Sequence, residues 1–249
     1  MSAKPIIFSA AMIKALLAGR KSMTRRILKP QPTIEYDLAS ETQEDLELRD
    51  MIFDDERGDS LVAERRGHIV LKRPIPYRVG DLLWVKETFT SYNEESRAVP
   101  VIKALYGVDF EGFNKPERDW NWTSSRFMPL WASRITLKVT AVKVERLQEI
   151  SEADAKAEGA ACRHYVTDRG QRCFGWSMDW PLDDKDCENH SLGGARYAFG
   201  NFLCRLHNGP HWNLKPNNIW DANPFVVVPT FEVIKKNVAD VLLEMKEVA

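Results

Sequence analysis

Apolar positions in the first twenty residues fall at helical spacing. Ile13, Leu16 and Leu17 lie at i, i+3 and i+4, behind Ser9, whose hydroxyl suits a helix start. Gly19 suits the position just past the end. The pattern predicts a short helix over about 10–18. The period then drops to two. Residues 67–92 read as β-rich, with Arg78-Val79-Gly80-Asp81 as a turn and LLWVKETF as the strand behind it. RITLKVTAVKVERL (134–147) is the clearest strand. Ile135, Leu137 and Val139 alternate, then Val142 and Val144 alternate on the other parity. A parity change inside one strand predicts a β-bulge.

Further along, Ser151 and Asp154 resemble a capping box and open a short helix ending near Gly159. GARYAFGNFLCRLHN (194–208) predicts a helix that buries Tyr197, Phe199, Phe202 and Leu206. NPFVVVPTFEVI (223–234) predicts a strand, with Pro229 at an edge or a bulge, and NVADVLLEMKEVA a helical tail. Short strands, few helices and long connections give an α+β expectation. It is a single domain on a small β-barrel with flanking helices and insertions near 33–66, 93–133 and 160–192.

Composition narrows the class. The 249 residues are 44% hydrophobic, enough for a core. A net charge of −1 argues against wholesale coating of a polyanion, so any nucleic-acid site must be a local patch. No run of 18 apolar residues occurs, so no membrane span is expected. The opening stretch, broken by Lys14, lacks a signal-peptide layout. Four cysteines fit reduced thiols better than a disulfide framework. The expectation is a soluble cytoplasmic protein with no cofactor.

Local charge changes that picture at AGRKSMTRRILKPQP (18–32), where Arg20, Lys21, Arg25, Arg26 and Lys29 stand without a carboxylate. Their counter-charge must come from solvent, from another part of the chain or from an anionic ligand. The acidic residues 33–59 read as a solvated insertion or as an internal counter-charge. If the chain extends after Met23, Thr24, Arg26 and Leu28 share one face while Arg25 and Ile27 share the other. Lys21 and Thr24 then meet only if the chain turns between them. Such a turn gathers an ammonium, a hydroxyl and a guanidinium. Arg26 offers planar donors to a phosphate or base edge. Thr24 becomes a nucleophile if a base takes its proton, a role open to Lys21, whose pKa nearby cations lower. A solvated basic loop behind a helix C-terminus accounts for the same residues.

GRKSMTRR resembles the G-x-K-x-x-[E/T]-x-R signature of ASCH domains, relatives of the PUA fold, through Gly19, Lys21, Thr24 and Arg26. Four blocks in order are similar to a phage- and prophage-associated branch of that family. They are IIFSAAMIKALLAGRKSMTRRILKPQP, VGDLLWVKETF, LWASRITLKVTAVKVERLQEISEADAKAEG and WDANPFVVVPTFEVI. The resemblance implies a PUA-like barrel with a cleft for RNA, a nucleotide or a modified nucleoside. Some small members are amidohydrolases that deacetylate N4-acetylcytidine with a lysine, a threonine and a glutamate. The implied counterparts are Lys21, Thr24 and Glu158, with Glu149 and Glu152 as nearby carboxylates. On that implication Thr24 attacks the acetyl carbonyl and Lys21 takes its proton. Glu158 holds Lys21 or protonates the leaving nitrogen. Arg26 or a backbone N–H faces the oxyanion, Arg20 lies on the substrate side, and Trp84 stacks on the base. The known amidohydrolases are much smaller than this chain. RNA binding without catalysis, or ribonuclease activity, stands as an alternative.

Three further groups attract notice. Cys162, His164, Cys173, Cys187 and His190 crowd one insertion and read either as zinc ligands or as ordinary loop side chains. Trp120, Trp122 and Trp131 read as a base-stacking platform or as packing. His207 and His211 flank a Gly-Pro turn.

Overall fold

The Ser9 hydroxyl accepts the Met12 N–H at 3.5 Å, and the helix it opens runs Ala10–Leu17. This comes from a computed structural model that describes residues 3–29, 31, 51–53, 60–65, 68–94, 101–110, 121–167, 169–180, 187–208 and 218–247. In chain order the strands are β1 (Ala3–Ile7), β2 (Arg26–Ile27), β3 (Met51–Phe53), β4 (Ser60–Arg65), β5 (His68–Pro74), β6 (Leu82–Lys86), β7 (Phe89–Glu94), β8 (Val101–Tyr106), β9 (Thr136–Arg146), β10 (Ala161–Val166), β11 (Arg172–Ser177) and β12 (Phe225–Ile234). The helices are α1 (Ala10–Leu17), α2 (Glu152–Ala157), α3 (Cys187–His190), α4 (Ala195–Asn208) and α5 (Val238–Glu247).

A five-stranded sheet in the order β1-β6-β9-β12-β2 carries the architecture. The β1/β6 pair is parallel and the other pairs are antiparallel. β3-β4-β5 form a separate sheet, and β7-β8 and β10-β11 are hairpins. The fold is mixed α+β. No strand pairing joins β1 to β2 among the described residues, so backbone bonds do not close the expected barrel. The two edges are linked instead by a side chain, with Arg26 Nη2 donating to the Ile7 carbonyl.

β6 is buried on both faces, because the main core covers one and α5 the other. Leu83 and Val85 join Ile13 and Leu16 of α1 and Phe199 and Phe202 of α4 in the main core, while Leu82 and Trp84 pack under α5 against Val238 and Val241. The β9 parity change is a bulge. Thr230 pairs with Ala141 and Phe231 with Val139, leaving Thr140 as the extra residue.

Three expectations need correction. Pro229 lies on an interior strand rather than an edge. It is tolerated because its carbonyl, and hence its missing N–H, faces the short β2 side, where it accepts from the Thr24 N–H at 3.1 Å. The bulge begins one residue later. LLWVKETF is not one strand, because Glu87 turns inward to Arg134 and separates β6 from β7. On α4 the buried stripe follows Ala195, Ala198, Phe199, Phe202 and Leu203, an i, i+3, i+4, i+7, i+8 set, with Gly200 and Cys204 buried beside it. Tyr197 and Leu206 fall outside it and are exposed.

Candidate functional site

Two helix ends meet at the basic stretch. Behind α1, the Gly19 N–H reaches the Leu16 carbonyl and the Arg20 N–H the Ala15 carbonyl. Gly19 has φ +70°, so this is a Schellman turn. Behind α2 the same turn recurs. Gly159 bonds Lys156, Ala160 bonds Ala155, and Gly159 has φ +116°. A Cβ on Gly159 would stand 2.8 Å from the Ala15 Cβ, so only glycine lets the two turns approach this closely. The last carbonyls of α2 are then served by residues 20–23. The Ser22 and Met23 N–H groups reach Ala157 O, Lys21 Nζ reaches Glu158 O at 2.9 Å, and Arg20 Nη1 reaches Gly159 O at 2.6 Å. Two cations at the negative end of a helix are favourable.

The Lys21 and Glu158 side chains are 0% exposed, and Nζ donates to Glu158 Oε2 at 2.6 Å. Arg25, also fully buried, donates to the other oxygen of Glu158 at 3.3 Å, to Asp154 at 2.6 Å and to Glu145 through Nε at 2.9 Å. Two of the five cations, Lys21 and Arg25, are thus neutralised from within, by β9 and the end of α2. The acidic residues 33–59 lie outside the described side chains. Burial pulls the Lys21 ammonium below its ordinary pKa. Glu158 opposes that shift, and Arg26 and Arg25 reinforce it.

Arg26 extends beside this pair. Its guanidinium lies 4.9 Å over the Phe8 ring, and Lys21 Nζ lies 5.4 Å from the same ring. Burial also lowers the Arg26 pKa, with Tyr77 and Glu158 opposing. Arg26 Nε is buried and meets no acceptor among the described residues. Thr24 is buried next to these groups in the chain, its N–H fixed on Pro229 O. Pro229 cannot donate back, so the ladder is one-sided at Thr24. Among the described residues the Lys21 ammonium donates twice to Glu158 and not to Thr24. Trp84 is elsewhere: strand alternation puts it under α5, with Lys86 5.3 Å over its ring. Arg20 is exposed and gives one guanidinium nitrogen to the end of α2.

The competing carboxylates have other tasks. Glu149 accepts the Arg146 N–H, and Glu152 accepts the Ala195 N–H at the start of α4. Arg25, Phe8 and Tyr77 were not singled out as site residues from the sequence. Only the alternation rule carried a hint, in placing Arg25 opposite Arg26. In the 160–192 insertion, β10 and β11 put Cys162 and His164 on one face and Cys173 on the other. Among the described residues no three His, Cys, Asp or Glu side chains gather as a metal site. Trp122 and Trp131 are exposed and His207 lies on α4, while Trp120 and His211 lie outside the described residues. No described helix is long and apolar enough to cross a membrane. Comparison with known protein families, curated proteins and solved structures finds no match for this chain.

Proposed function

We propose that this chain is an ASCH-type, PUA-like protein that recognises a modified nucleoside and hydrolyses the N4-acyl amide of cytidine through Lys21, Thr24 and Glu158. The observation carrying the reading is the buried Lys21–Glu158 pair, in which a lysine is pulled toward its neutral form beside a buried threonine. Neutral Lys21 takes the Thr24 hydroxyl proton as the oxygen attacks the acyl carbon. The C–N bond breaks, the proton passes to the departing cytosine nitrogen, and water then releases the acid from Thr24. The unpartnered Arg26 Nε is the donor for the oxyanion. The link from Arg26 to Ile7 supports the barrel side of the reading, because it draws the sheet's two edges together.

A second reading is binding of RNA or a nucleoside without catalysis. Complete burial of Lys21 and Glu158 favours it, since a base must reach its substrate. The test is purified protein with N4-acetylcytidine, following loss of the acylated-base absorbance. Turnover that Thr24→Ala abolishes and Thr24→Ser partly keeps supports the enzyme. Absence of turnover in the wild type, or full turnover by Thr24→Ala, removes it. Salt-sensitive RNA binding lost in Arg26→Ala but kept in Thr24→Ala then identifies the binder.

A further inference from the structure

A cavity of about 380 Å³ opens on the side of α4 away from the buried cations, within the size range of small-molecule sites. Phe199 faces the Arg25 guanidinium at 5.9 Å, whereas Tyr197, Gly200 and Asn201 line the cavity with Leu192, Trp220 and Asp221. Trp220 is held rigidly. Its ring lies on the Gly200 backbone, so close that a Cβ there would stand 2.9 Å from Cε3. Its carbonyl accepts Gln148 Nε2 at 2.8 Å, and the Arg196 guanidinium covers the ring at 5.3 Å.

The lining is mainly apolar, and its polar edge is rich in acceptors. Asn201 Oδ1 is buried in the wall and meets no donor among the described residues, so it accepts from a ligand once its side chain turns outward. The Asp221 carboxylate accepts Asn218 Nδ2 at 2.7 Å and keeps lone pairs for another donor. The lining cation, Arg196, is engaged with the Gln148 carbonyl at 2.7 Å and with Trp220. Among the described residues, an anion therefore meets a carboxylate without a committed counter-charge. A flat ring lies against the part of Trp220 that Gly200 and Arg196 leave accessible, and an N–H edge answers the acceptors.

From this we propose a second ligand site, separate from the Lys21 cluster and independent of its reading, for a planar heteroaromatic molecule bearing an amino group. The test is saturation-transfer NMR on the full chain with adenine and 2-aminopyrimidine as probes and benzoate as the anionic control. Both amino heterocycles receive saturation and benzoate does not. Asn201→Leu weakens adenine at least fivefold. Gly193→Phe abolishes the signal; the Cβ added at this lining glycine meets nothing within 4 Å. Tyr197→Ala, at an exposed rim position, weakens adenine and covers the case in which Gly193→Phe fails to fold. Thr24→Ala leaves adenine binding unchanged. Absence of an adenine signal, equal binding of benzoate, adenine binding untouched by the folded cavity variants, or its loss in Thr24→Ala overturns the proposal.

Discussion

Glu158→Gln removes the carboxylate that bonds the Lys21 ammonium while keeping the side chain's shape. What remains for Nζ is uncharged: the amide oxygen of the new side chain and the backbone carbonyl of residue 158 at 2.9 Å. Both side chains are 0% exposed, so water does not replace the lost partner. Removing one member of a buried pair costs about 3–5 kcal/mol. Lys21→Met is the milder lesion, because Glu158 still has Arg25 at 3.3 Å. We expect about 4 kcal/mol for Glu158→Gln and about 3 for Lys21→Met. At roughly 2–4 °C per kcal/mol for a chain of this size, Glu158→Gln lowers Tm by about 8–16 °C. Urea unfolding followed by circular dichroism at neutral pH measures both. Lys21→Met/Glu158→Gln removes both charges and costs less than the sum by about 1.5 kcal/mol or more. The pH dependence has a definite sign. The unfolded chain keeps the Lys21 proton up to about pH 10.4, while the native state gives it up earlier because burial lowers its pKa. Stability therefore gains as pH rises through that window, and from a lower pH in Glu158→Gln, so the deficit narrows. A Glu158→Gln deficit below about 1 kcal/mol, or an additive double mutant, refutes the buried-pair argument.

Other outcomes follow from the same geometry. Gly159→Ala combines a strained φ of +116° with a 2.8 Å contact, and costs about 2 kcal/mol or more in urea unfolding. Trp84→Ala costs about 3–5 kcal/mol through its packing under α5 and, on the proposed function, leaves N4-acetylcytidine affinity in titration calorimetry unchanged. If Lys21 is the base, kcat/KM for N4-acetylcytidine rises with pH along a limb centred below the ordinary lysine value of about 10.4, because the neutral amine is required. A limb at or above that value contradicts the role.

Some features were legible in the chain because their causes are local. Ser9 and Ser151 cap helices with hydroxyls three residues from their targets, and the Thr140 bulge is written in the parity change from Val139 to Val142. Gly19 and Gly159 mark helix ends through their own backbone conformations. The buried side of α4 was only partly legible. A helical stripe is wide enough for Tyr197 to fit the pattern, yet its neighbours decide that it stays exposed.

By itself the sequence determined four of the five described helices and the long strands β9 and β12, though not the strands inside 33–66, 93–133 and 160–192, and that a basic stretch behind a glycine would need a partner. The tertiary structure decided which partner. It gave Glu158 to Lys21, sent Glu149 and Glu152 to other backbone donors, and tied Arg25 into β9 and α2. It also moved Trp84 to the far face of the sheet. Caps and alternation act over three or four residues and can be read along the chain. The Lys21–Glu158 ion pair joins groups 137 positions apart, and electrostatic attraction selects among carboxylates only after packing has brought them within reach.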